Sequence, residues 1–484
     1  MTLDRRDLLL TGAAAALTVP AWARGNTPHR DTADHTIRIA NSLVELGPDL
    51  IVSTKTYNGQ FPGPLLRMRE GKRVVVDIHN DTDTPEQLHW HGQVLPADVD
   101  GAAEEGTPFI PAHGMRRVAF TPGPSGFRFF HSHVGARTDL TQGLYSGQAG
   151  LVYVEPKQNA GAYDREEFLT LKEFGPYLTR MEMPGDFLSP TTIVPALRDR
   201  ALADLDAATK RHQPQGYELA FSHCTVNGRV LGAGEPLRVK TGERLLLHVL
   251  NASAGEIRSL ALPGHVFKVV ALDGYPVATQ ARVPVLWLGP AERISAIVEM
   301  STPGVFVLGD LDDDARGRGA GIVVEYADTK GKPLWRAPQP FRWDYRRFGR
   351  TNAPAAAPLD ETLTLTFTAD PGGEEGFDRF MINGVSFSMV KMQPLFRLAR
   401  GRRYRLKLRN ATDDTHPLHL HRHGFELTSI AGAPTSGVIK DVVLIGGFQE
   451  MTVDFTADQP GFSLFHCHMQ HHMDFGFMAL FDCR

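Results

Sequence analysis

Histidine residues are grouped along this sequence in a way that could bind metal ions. The chain contains 20 histidines, and eight of them form His-x-His pairs: His89 and His91, His131 and His133, His419 and His421, and His466 and His468. Residues i and i+2 of a β-strand point to the same face, so each pair would present two imidazoles side by side. Eight imidazoles exceed the needs of one ion and suit a cluster of two or three. Imidazole alone does not distinguish zinc, copper, iron and nickel.

A cysteine lies within the last of these pairs. Cys467 separates His466 from His468, with His416 upstream and His472 five residues downstream. One cysteine and two histidines in a β-sandwich form the trigonal arrangement of a blue-copper electron-transfer centre. Since Cys467 is bonded along the chain to two candidate cluster ligands, an electron on its copper would have a short covalent path to the cluster. A lone cysteine is ordinarily a buried thiol, and the flanking histidines favour the copper centre over that explanation.

The segments that must position these residues form a threefold repeat. A glycine is followed nine residues later by an asparagine at 71–80, 242–251 and 401–410, and an Asn-Gly pair precedes each copy. His89 and His419 follow the repeat asparagine by nine residues, where the middle copy has Leu260. His131 and His466 follow the glycine of a second repeated strand by five residues, where the middle copy has Gly309. The first and third copies therefore carry the pairs and the middle copy carries none.

The strand and turn pattern predicts an all-β fold. Strands alternate apolar and polar residues between Gly, Pro and Asn turns, which indicates three tandem Greek-key β-sandwiches. We place these domains at 36–156, 160–328 and 359–484, with a linker at 329–358. Residues 196–212 have a helical composition and are expected to be an insertion in the middle domain. If the outer domains meet pseudo-symmetrically, their histidine pairs converge at the interface.

Composition and the N-terminus restrict the partners and the location. The chain has 51 Lys+Arg against 55 Asp+Glu and a net charge of −4, which argues against an electrostatic nucleic-acid binder. Residues 1–23 contain Arg5-Arg6, a short apolar stretch and Ala21-Trp22-Ala23, typical of an export signal that resembles the twin-arginine type. We therefore expect the twin-arginine machinery as a partner, no membrane span, and a soluble periplasmic or secreted protein. In that oxidising compartment Cys224 and Cys483 could form a disulfide.

Four motifs in this order resemble those of the three-domain multicopper oxidases, the laccase-like enzymes. They are HWHG at 89–92, HSH at 131–133, HPLHLH at 416–421 and HCHMQHH at 466–472. The resemblance covers the whole mature chain and implies three cupredoxin-like domains that hold four copper ions. It assigns the type 1 copper to His416, Cys467 and His472, the type 2 copper to His89 and His419, and the type 3 pair to His91, His131, His133, His421, His466 and His468.

The resemblance also implies a reaction. A reducing substrate gives up electrons one at a time at the type 1 site, and Cys467 passes them to the trinuclear cluster, where dioxygen is reduced to water. Asp100 resembles the acid that family members place near the type 2 copper for proton transfer, although an Asp-Gly turn would also explain it. Met473 occupies a position that is sometimes acidic in relatives, which leaves Asp474 as another candidate acid.

The axial position of the type 1 copper is the tenth after the cysteine in the family motif, which gives Phe477. Phenylalanine has no donor atom, so the resemblance implies a three-coordinate copper. Met478 is the alternative, and it would need a local bulge to turn toward the metal.

The sequence is compatible with more than one function. The expected substrates are phenols or aromatic amines, oxidised with O₂ as acceptor. A cuprous or ferrous ion oxidase in copper tolerance is the alternative, but cuprous oxidases often carry a methionine-rich insertion, and the 13 methionines here are dispersed. A copper-free exported cupredoxin scaffold would be expected to lose ligands, and this chain has lost none. A nitrite reductase uses fewer copper ligands and generally has two domains.

Overall fold

The computed structural model describes residues 32–157, 162–180, 217–350, 358–370, 373 and 376–484. The predicted export signal at 1–23 and the predicted helical insertion at 196–212 lie outside the described residues. The described part of the chain consists mainly of β-strands in six sheets. None of the helices in that part is long and apolar enough to cross a membrane.

The first two sheets are formed by residues 35–155. The strands are β1 (His35–Gly47), β2 (Leu50–Tyr57), β3 (Leu65–Arg69), β4 (Val74–Asn80), β5 (His89–His91), β6 (Met115–Phe120), β7 (Gly126–His131) and β8 (Ala149–Glu155). One sheet has the order β2-β1-β4-β6 and the other the order β3-β8-β7-β5. Ile37, Val76, Trp90 and Val152 belong to the core between them. Three short helices interrupt the connections: α1 (Ala97–Asp100) and the 3₁₀ turns Ala103–Glu105 and Gly143–Tyr145.

The next two sheets are formed by residues 165–326. Their strands are β9 (Arg165–Arg180), β10 (Tyr217–Val226), β11 (Leu237–Val239), β12 (Arg244–Asn251), β13 (Arg258–Ala261), β14 (Phe267–Leu272), β15 (Tyr275–Pro276), β16 (Arg282–Val283), β17 (Val285–Leu288), β18 (Arg293–Glu299), β19 (Val305–Gly309) and β20 (Gly321–Tyr326). One sheet has the order β10-β9-β12-β18-β14-β15, with β16 paired to β14, and the other the order β11-β20-β19-β13-β17. Helix α2 (Asp313–Gly317) precedes β20, and the 3₁₀ turn Tyr345–Phe348 follows it.

The last two sheets are formed by residues 361–483. Their strands are β21 (Glu361–Asp370), β22 (Arg379–Ile382), β23 (Pro394–Leu398), β24 (Arg403–Asn410), β25 (His416–Leu420), β26 (Phe425–Ile430), β27 (Ala433–Lys440), β28 (Val442–Ile445), β29 (Glu450–Thr456), β30 (Gly461–Cys467) and β31 (Met478–Cys483). The orders are β22-β21-β24-β29-β26-β27 and β23-β31-β30-β25-β28. The 3₁₀ turn Met389–Lys391 precedes β23, and helix α3 (Gln470–Asp474) joins β30 to β31.

The same strand plan occurs in all three stretches of chain. In each stretch the first strand pairs in parallel with the strand that ends at the repeat asparagine, as β1 does with β4, β9 with β12 and β21 with β24. Two sheets enclose each core. The prediction of an all-β chain built from repeated β-sandwiches is therefore confirmed.

The repeat asparagines close the same turn in each copy. Asn80, Asn251 and Asn410 are fully buried. In the third copy Asn410 Nδ2 donates to the carbonyl oxygens of Asp414 at 2.7 Å and Gly446 at 3.0 Å, while its Oδ1 accepts from Thr412 N at 3.0 Å. Asn80 and Asn251 make equivalent bonds. The turn needs a side chain that has both N–H donors and an oxygen acceptor. This explains why each copy of the repeat has asparagine at this position.

Candidate metal centre

The four histidine pairs lie on neighbouring strands of equivalent sheets. Strand β5 pairs antiparallel with β7, which places His89 opposite His131. In the same way β25 pairs with β30 and places His419 opposite His466. Trp90, between the first two histidines, points the other way into the domain core, as the period of two requires. In the middle stretch Ala261 lies opposite Gly309, one residue beyond the Leu260 that the spacing along the chain predicts, and neither Ala261 nor Gly309 has a metal-ligating side chain.

The eight histidines converge on one buried site between the first and last stretches of chain. Each is at most 2% exposed. The ring of His89 stacks on that of His421 with centroids 4.0 Å apart, and the ring of His91 stacks on that of His419 at 3.8 Å. Each stack contains one histidine from the first stretch of chain and one from the last. The interface between the outer domains is therefore lined by imidazoles, as the sequence predicts.

Backbone carbonyls hold these rings in one orientation. The Nδ1 atoms of four histidines lie within hydrogen-bonding distance of carbonyl oxygens: His89 with Asp100 at 3.0 Å, His131 with Ser132 at 2.8 Å, His419 with Asp441 at 2.7 Å and His466 with Cys467 at 2.8 Å. Because a carbonyl can only accept, each Nδ1 carries the proton and each Nε2 keeps a lone pair. The strands thus fix the tautomer that ligates a metal through Nε2.

The Nε2 atoms lack ordinary partners. Those of His89, His91, His133 and His419 are buried without a hydrogen bond among the described residues. Nε2 of His421 lies 3.0 Å from Nε2 of His466, and Nε2 of His468 lies 3.3 Å from Nε2 of His131. Buried polar atoms normally find partners, so convergent lone pairs in this number fit a metal cluster.

The surroundings of seven of the eight imidazoles favour the neutral state that metal binding requires. Burial, together with the neighbouring imidazoles, lowers the pKa of seven of them: His91, His131, His133, His419, His421, His466 and His468. For His466 burial lowers the pKa to about 3. Neutral rings at physiological pH do not have to lose a proton before they bind a cation.

A second cluster contains the cysteine. Nδ1 of His416 and Nδ1 of His472 are 3.1 Å apart, and Cys467 Sγ lies 3.8 Å and 3.4 Å from them. All three side chains are buried, and burial raises the pKa of the Cys467 thiol. A thiolate at this position therefore needs a bound cation to stabilise it. The group contains the sulfur and two nitrogens of a blue-copper centre.

The repeat asparagine of the third domain also orients this second cluster. Thr412 Oγ1 lies 2.8 Å from Asn410 Oδ1 and 2.7 Å from His416 Nε2. The hydroxyl donates to the amide oxygen, so it accepts from the imidazole Nε2–H. This leaves the His416 Nδ1 lone pair directed at Cys467 and His472.

Phe477, the residue that the motif predicts at the axial position, lies beside the cysteine cluster. Its side chain is fully buried, and its ring centroid is 4.7 Å from that of His416 and 6.3 Å from that of His472. Met478 is the first residue of β31, is partly exposed and pairs with His466. The structure brings Phe477, not Met478, against the two histidine rings of the cysteine cluster.

Buried carboxylates lie against some of the eight histidines. Asp100 ends helix α1 and is fully buried, with Oδ2 3.0 Å from His89 Nδ1 and 2.9 Å from His421 Nδ1. Gly101 after it has φ +107, and a Cβ there would lie 1.9 Å from the Leu88 carbonyl oxygen. Asp100 is thus both the residue before a tight turn and a contact of two predicted ligands.

Two further acids lie at this site that the motifs do not indicate. Glu105 Oε1 accepts from Leu464 N at 2.7 Å and is 3.5 Å from His421 Nδ1, while Glu104 Oε2 is 3.6 Å from His133 Nδ1. Burial raises the pKa of both carboxyls, that of Glu104 to about 7. In the sequence, Glu104 and Glu105 have no feature that distinguishes them from a solvated acidic turn.

Three further predicted residues, Asp474, Cys224 and Cys483, are held by hydrogen bonds to other parts of the chain. Asp474 Oδ2 accepts from the backbone of Ala136 at 3.0 Å and Arg137 at 2.6 Å, and burial raises its pKa to about 6. Cys224 and Cys483 do not form a disulfide, because all three cysteines are free. Cys224 Sγ instead accepts from Arg258 Nη2 at 3.1 Å, and Cys483 Sγ donates to the Ala457 carbonyl at 3.3 Å.

Comparison with known proteins identifies the family. Three family models described as multicopper oxidase match residues 44–159, 199–325 and 354–484. Multicopper oxidase MmcO of Mycobacterium tuberculosis is 30% identical, over 98% of this chain and 91% of its own length. The chain belongs to the multicopper oxidase family. A copper resistance protein A homolog of Pseudomonas syringae pv. tomato is 24% identical, over 94% of both chains.

A solved structure supports the fold of this oxidase. The multi-copper oxidase from Pseudomonas thermotolerans superimposes with a TM-score of 0.68 at 24% identity, over 94% of this chain and all of the other. The family resemblance inferred from the four motifs is therefore confirmed.

An open cavity adjoins the cysteine cluster of the oxidase. It has a volume of about 470 Å³ and is lined in part by His472. Aromatic side chains form part of its wall: Tyr217, Trp287 and Phe380. The Phe380 ring lies 4.1 Å from that of His472. Six acidic residues and two arginines also line it: Glu218, Glu256, Asp310, Asp312, Asp378 and Asp414, with Arg258 and Arg318.

The position of Phe477 generates a test of the cysteine cluster. A weak axial thioether stabilises Cu(II) relative to Cu(I), and the axial ligand tunes the potential of such centres. If the cysteine cluster binds copper as the motifs predict, Phe477→Met should lower the potential of that copper, because the new sulfur would lie beside His416 and His472. Met478→Leu is the matched control and should barely change it. Redox titration of the visible absorption measures both, and the reverse pattern would identify Met478 as the axial residue.

Proposed function

We propose that this multicopper oxidase binds four copper ions per chain. The type 1 ion would be held by His416, Cys467 and His472, the type 2 ion by His89 and His419, and the type 3 pair by the remaining six histidines of the site. The observation that carries this proposal is the position of Cys467. It belongs to one cluster and is bonded along the chain to His466 and His468 of the other.

The proposed reaction couples two sites through the protein chain. Copper, when bound, supplies one-electron redox chemistry and the means to reduce dioxygen to water. His472 lines the open cavity, so its imidazole is the nearest of the proposed ligands to a docked electron donor. Cys467 and its two neighbours along the chain connect that ligand set with the buried eight-histidine site. Because each of those eight histidines is at most 2% exposed, a bulky donor cannot contact that site directly.

The preferred donors are phenols or aromatic amines. The aromatic wall of Tyr217, Trp287 and Phe380 offers faces on which a substrate ring can stack. A phenol or amine loses a proton as it is oxidised. Asp414, in the same wall, can accept it, since burial and the nearby Asp413, Glu218 and Asp378 raise its pKa to about 7.

A cuprous or ferrous ion is the second candidate donor. The acidic lining supports it, because carboxylates grouped beside the type 1 ligands attract cations. A relative at 24% identity is named a copper resistance protein. Glu256 is nevertheless paired with Arg258 at 2.5 Å, and Asp310 accepts from Ser259 Oγ at 2.6 Å, so part of the acidic lining is already satisfied.

Asp100 is the proposed proton relay to the eight-histidine site. Its carboxylate contacts two ligand rings, and Oδ1 is buried without a partner among the described residues. Export through the twin-arginine machinery to the periplasm or the outside of the cell is proposed from residues 1–23 alone.

The copper content and colour test the proposal most simply. The purified oxidase should bind about four coppers and be blue, because the cysteine and two histidines form a trigonal site. Cys467→Ser should abolish the visible band and the oxidase activity while the eight-histidine site keeps its copper. Elemental analysis and absorption spectra measure both, and a blue Cys467→Ser variant would disprove the assignment.

The proposed role of Asp100 predicts a selective kinetic defect. Asp100→Asn should slow dioxygen consumption by about 100-fold, within the usual range for a lost proton-transfer group. Reduction of the blue copper by substrate without oxygen should stay within about twofold of the unaltered rate, because that step consumes no proton at this site. Stopped-flow absorbance separates the two steps. An unchanged oxygen rate across pH would leave Asp100 as a turn residue only.

A substrate panel distinguishes the two classes of donor. Oxygen uptake should be faster with a methoxyphenol than with Cu(I) or Fe(II). Trp287→Ala should raise the KM for the phenol by about 10-fold, the loss expected for one stacked ring, and leave the metal ions unaffected. Trp335→Ala is the control, since Trp335 packs against Arg316 and does not line the cavity. Faster turnover of the metal ions, insensitive to Trp287, would favour the second candidate.

A further inference from the structure

Six charged side chains are buried together where the three domains meet. They carry three positive and three negative charges, and the side chain of each is at most 2% exposed: Arg128, Asp273, Glu292, Arg293, Lys440 and Asp441. One comes from the first domain, three from the middle domain and two from the third. Buried ion pairs of this kind often give no net stability over an apolar core. Their position therefore calls for another explanation.

The centre of this ionic cluster is a bidentate pair between the middle and third domains. Arg293 Nη1 donates to Asp441 Oδ1 at 2.6 Å, and Arg293 Nη2 donates to Asp441 Oδ2 at 2.7 Å. Arg128 of the first domain adds a bond to Asp441 Oδ2 at 3.1 Å. The planar fork of arginine fixes both the distance and the angle of its carboxylate partner.

Asp273 of the middle domain holds the backbone around Asp441. Its Oδ2 accepts from the backbone N–H groups of Asp441 at 3.2 Å and Val442 at 3.1 Å, and lies 2.9 Å from Lys440 Nζ. Its Oδ1 accepts from Arg293 N at 3.0 Å. The backbone of Asp441 is therefore held at a fixed position relative to the middle domain.

This pair touches predicted copper ligands from both outer domains. Arg293 Nη1 lies 3.3 Å from His91 Nδ1, and Asp441 Oδ1 lies 3.7 Å from the same atom. The Asp441 carbonyl accepts from His419 Nδ1 at 2.7 Å. His91 and His419 are the two rings that stack at 3.8 Å across the interface.

Gly92 allows the ion pair to approach this closely. It follows His91 directly and has φ +77. A Cβ at this position would lie 2.5 Å from Arg293 Nη2 and 2.6 Å from Asp441 Oδ2. The glycine of the HWHG motif thus leaves the space in which Arg293 of the middle domain approaches His91.

We propose that Arg293 is a positioning residue for the trinuclear copper site, acting through Asp441 on His91 and His419. The described residues of the middle domain supply no predicted ligand, and they contribute this ionic clamp, which sets how the ligands of the two outer domains face each other. The inference rests on the proposed copper assignment. The proposed role concerns how firmly the eight-histidine site holds its copper. It leaves the type 1 centre unaffected, since His416, Cys467 and His472 form no hydrogen bond or ion pair with the six charged residues.

The test compares the two copper centres within one sample. Arg293→Lys keeps the charge and removes the bidentate fork. Against a graded chelator, the type 2 electron paramagnetic resonance signal should be lost at about 10-fold lower chelator concentration than in the unaltered protein, the usual penalty for losing a residue that orients a ligand. The blue type 1 absorption should persist. Asp441→Asn, which keeps the side-chain shape, should show the same selective loss.

Arg405→Met controls for general destabilisation. It removes one arginine from the buried Asp454 of the third domain, within the sheet that does not carry the histidines. Its thermal midpoint should fall while both copper signals keep their ordinary resistance to chelator. Equal retention of type 2 copper in both clamp variants, or parallel loss of both signals in them, would overturn the inference. An unaltered protein without blue copper would instead contradict the proposed function.

Discussion

The chain depends on burying eight imidazoles at an interface where their Nε2 atoms find no ordinary hydrogen-bond donors or acceptors. Hydrogen bonds from Nδ1 to backbone carbonyls satisfy one nitrogen of His89, His131, His419 and His466 and leave the other as a lone pair. Orphaned buried polar atoms carry a free-energy cost. A fold that accumulates them in one place gains its compensation when a cation binds, and this links the stability of the interface to metal loading.

The repeated strand plan explains how two domains can share such a site. Pairing of β5 with β7 and of β25 with β30 sets His89 opposite His131 and His419 opposite His466. Equivalent registers in two domains present equivalent pairs, and a pseudo-symmetric contact stacks them. The middle domain keeps the strands but has Ala261 and Gly309 at the matching positions. In our account its contribution is the ionic clamp, which holds the outer domains in register.

Much of this arrangement could be predicted from the sequence, because it follows from short-range rules. The period of two on a strand predicts that His89 and His91 share a face, and the repeat predicts which domains carry the pairs. Arg293 and Asp441 could not be found in this way. They are 148 residues apart, and neither lies in a recognisable motif. Gly92 leaves room for them, but a glycine in a sequence does not tell which side chains approach it. The suggested disulfide failed for a similar reason, since spacing along the chain does not tell whether Cys224 and Cys483 meet.

Anomalous diffraction at the copper absorption edge, from crystals of the copper-loaded protein, tests the central claim most directly. We expect one copper between Cys467, His416 and His472, and three coppers within the shell of eight histidines. A single ion in that shell, or scattering there that follows the zinc edge and not the copper edge, would contradict it.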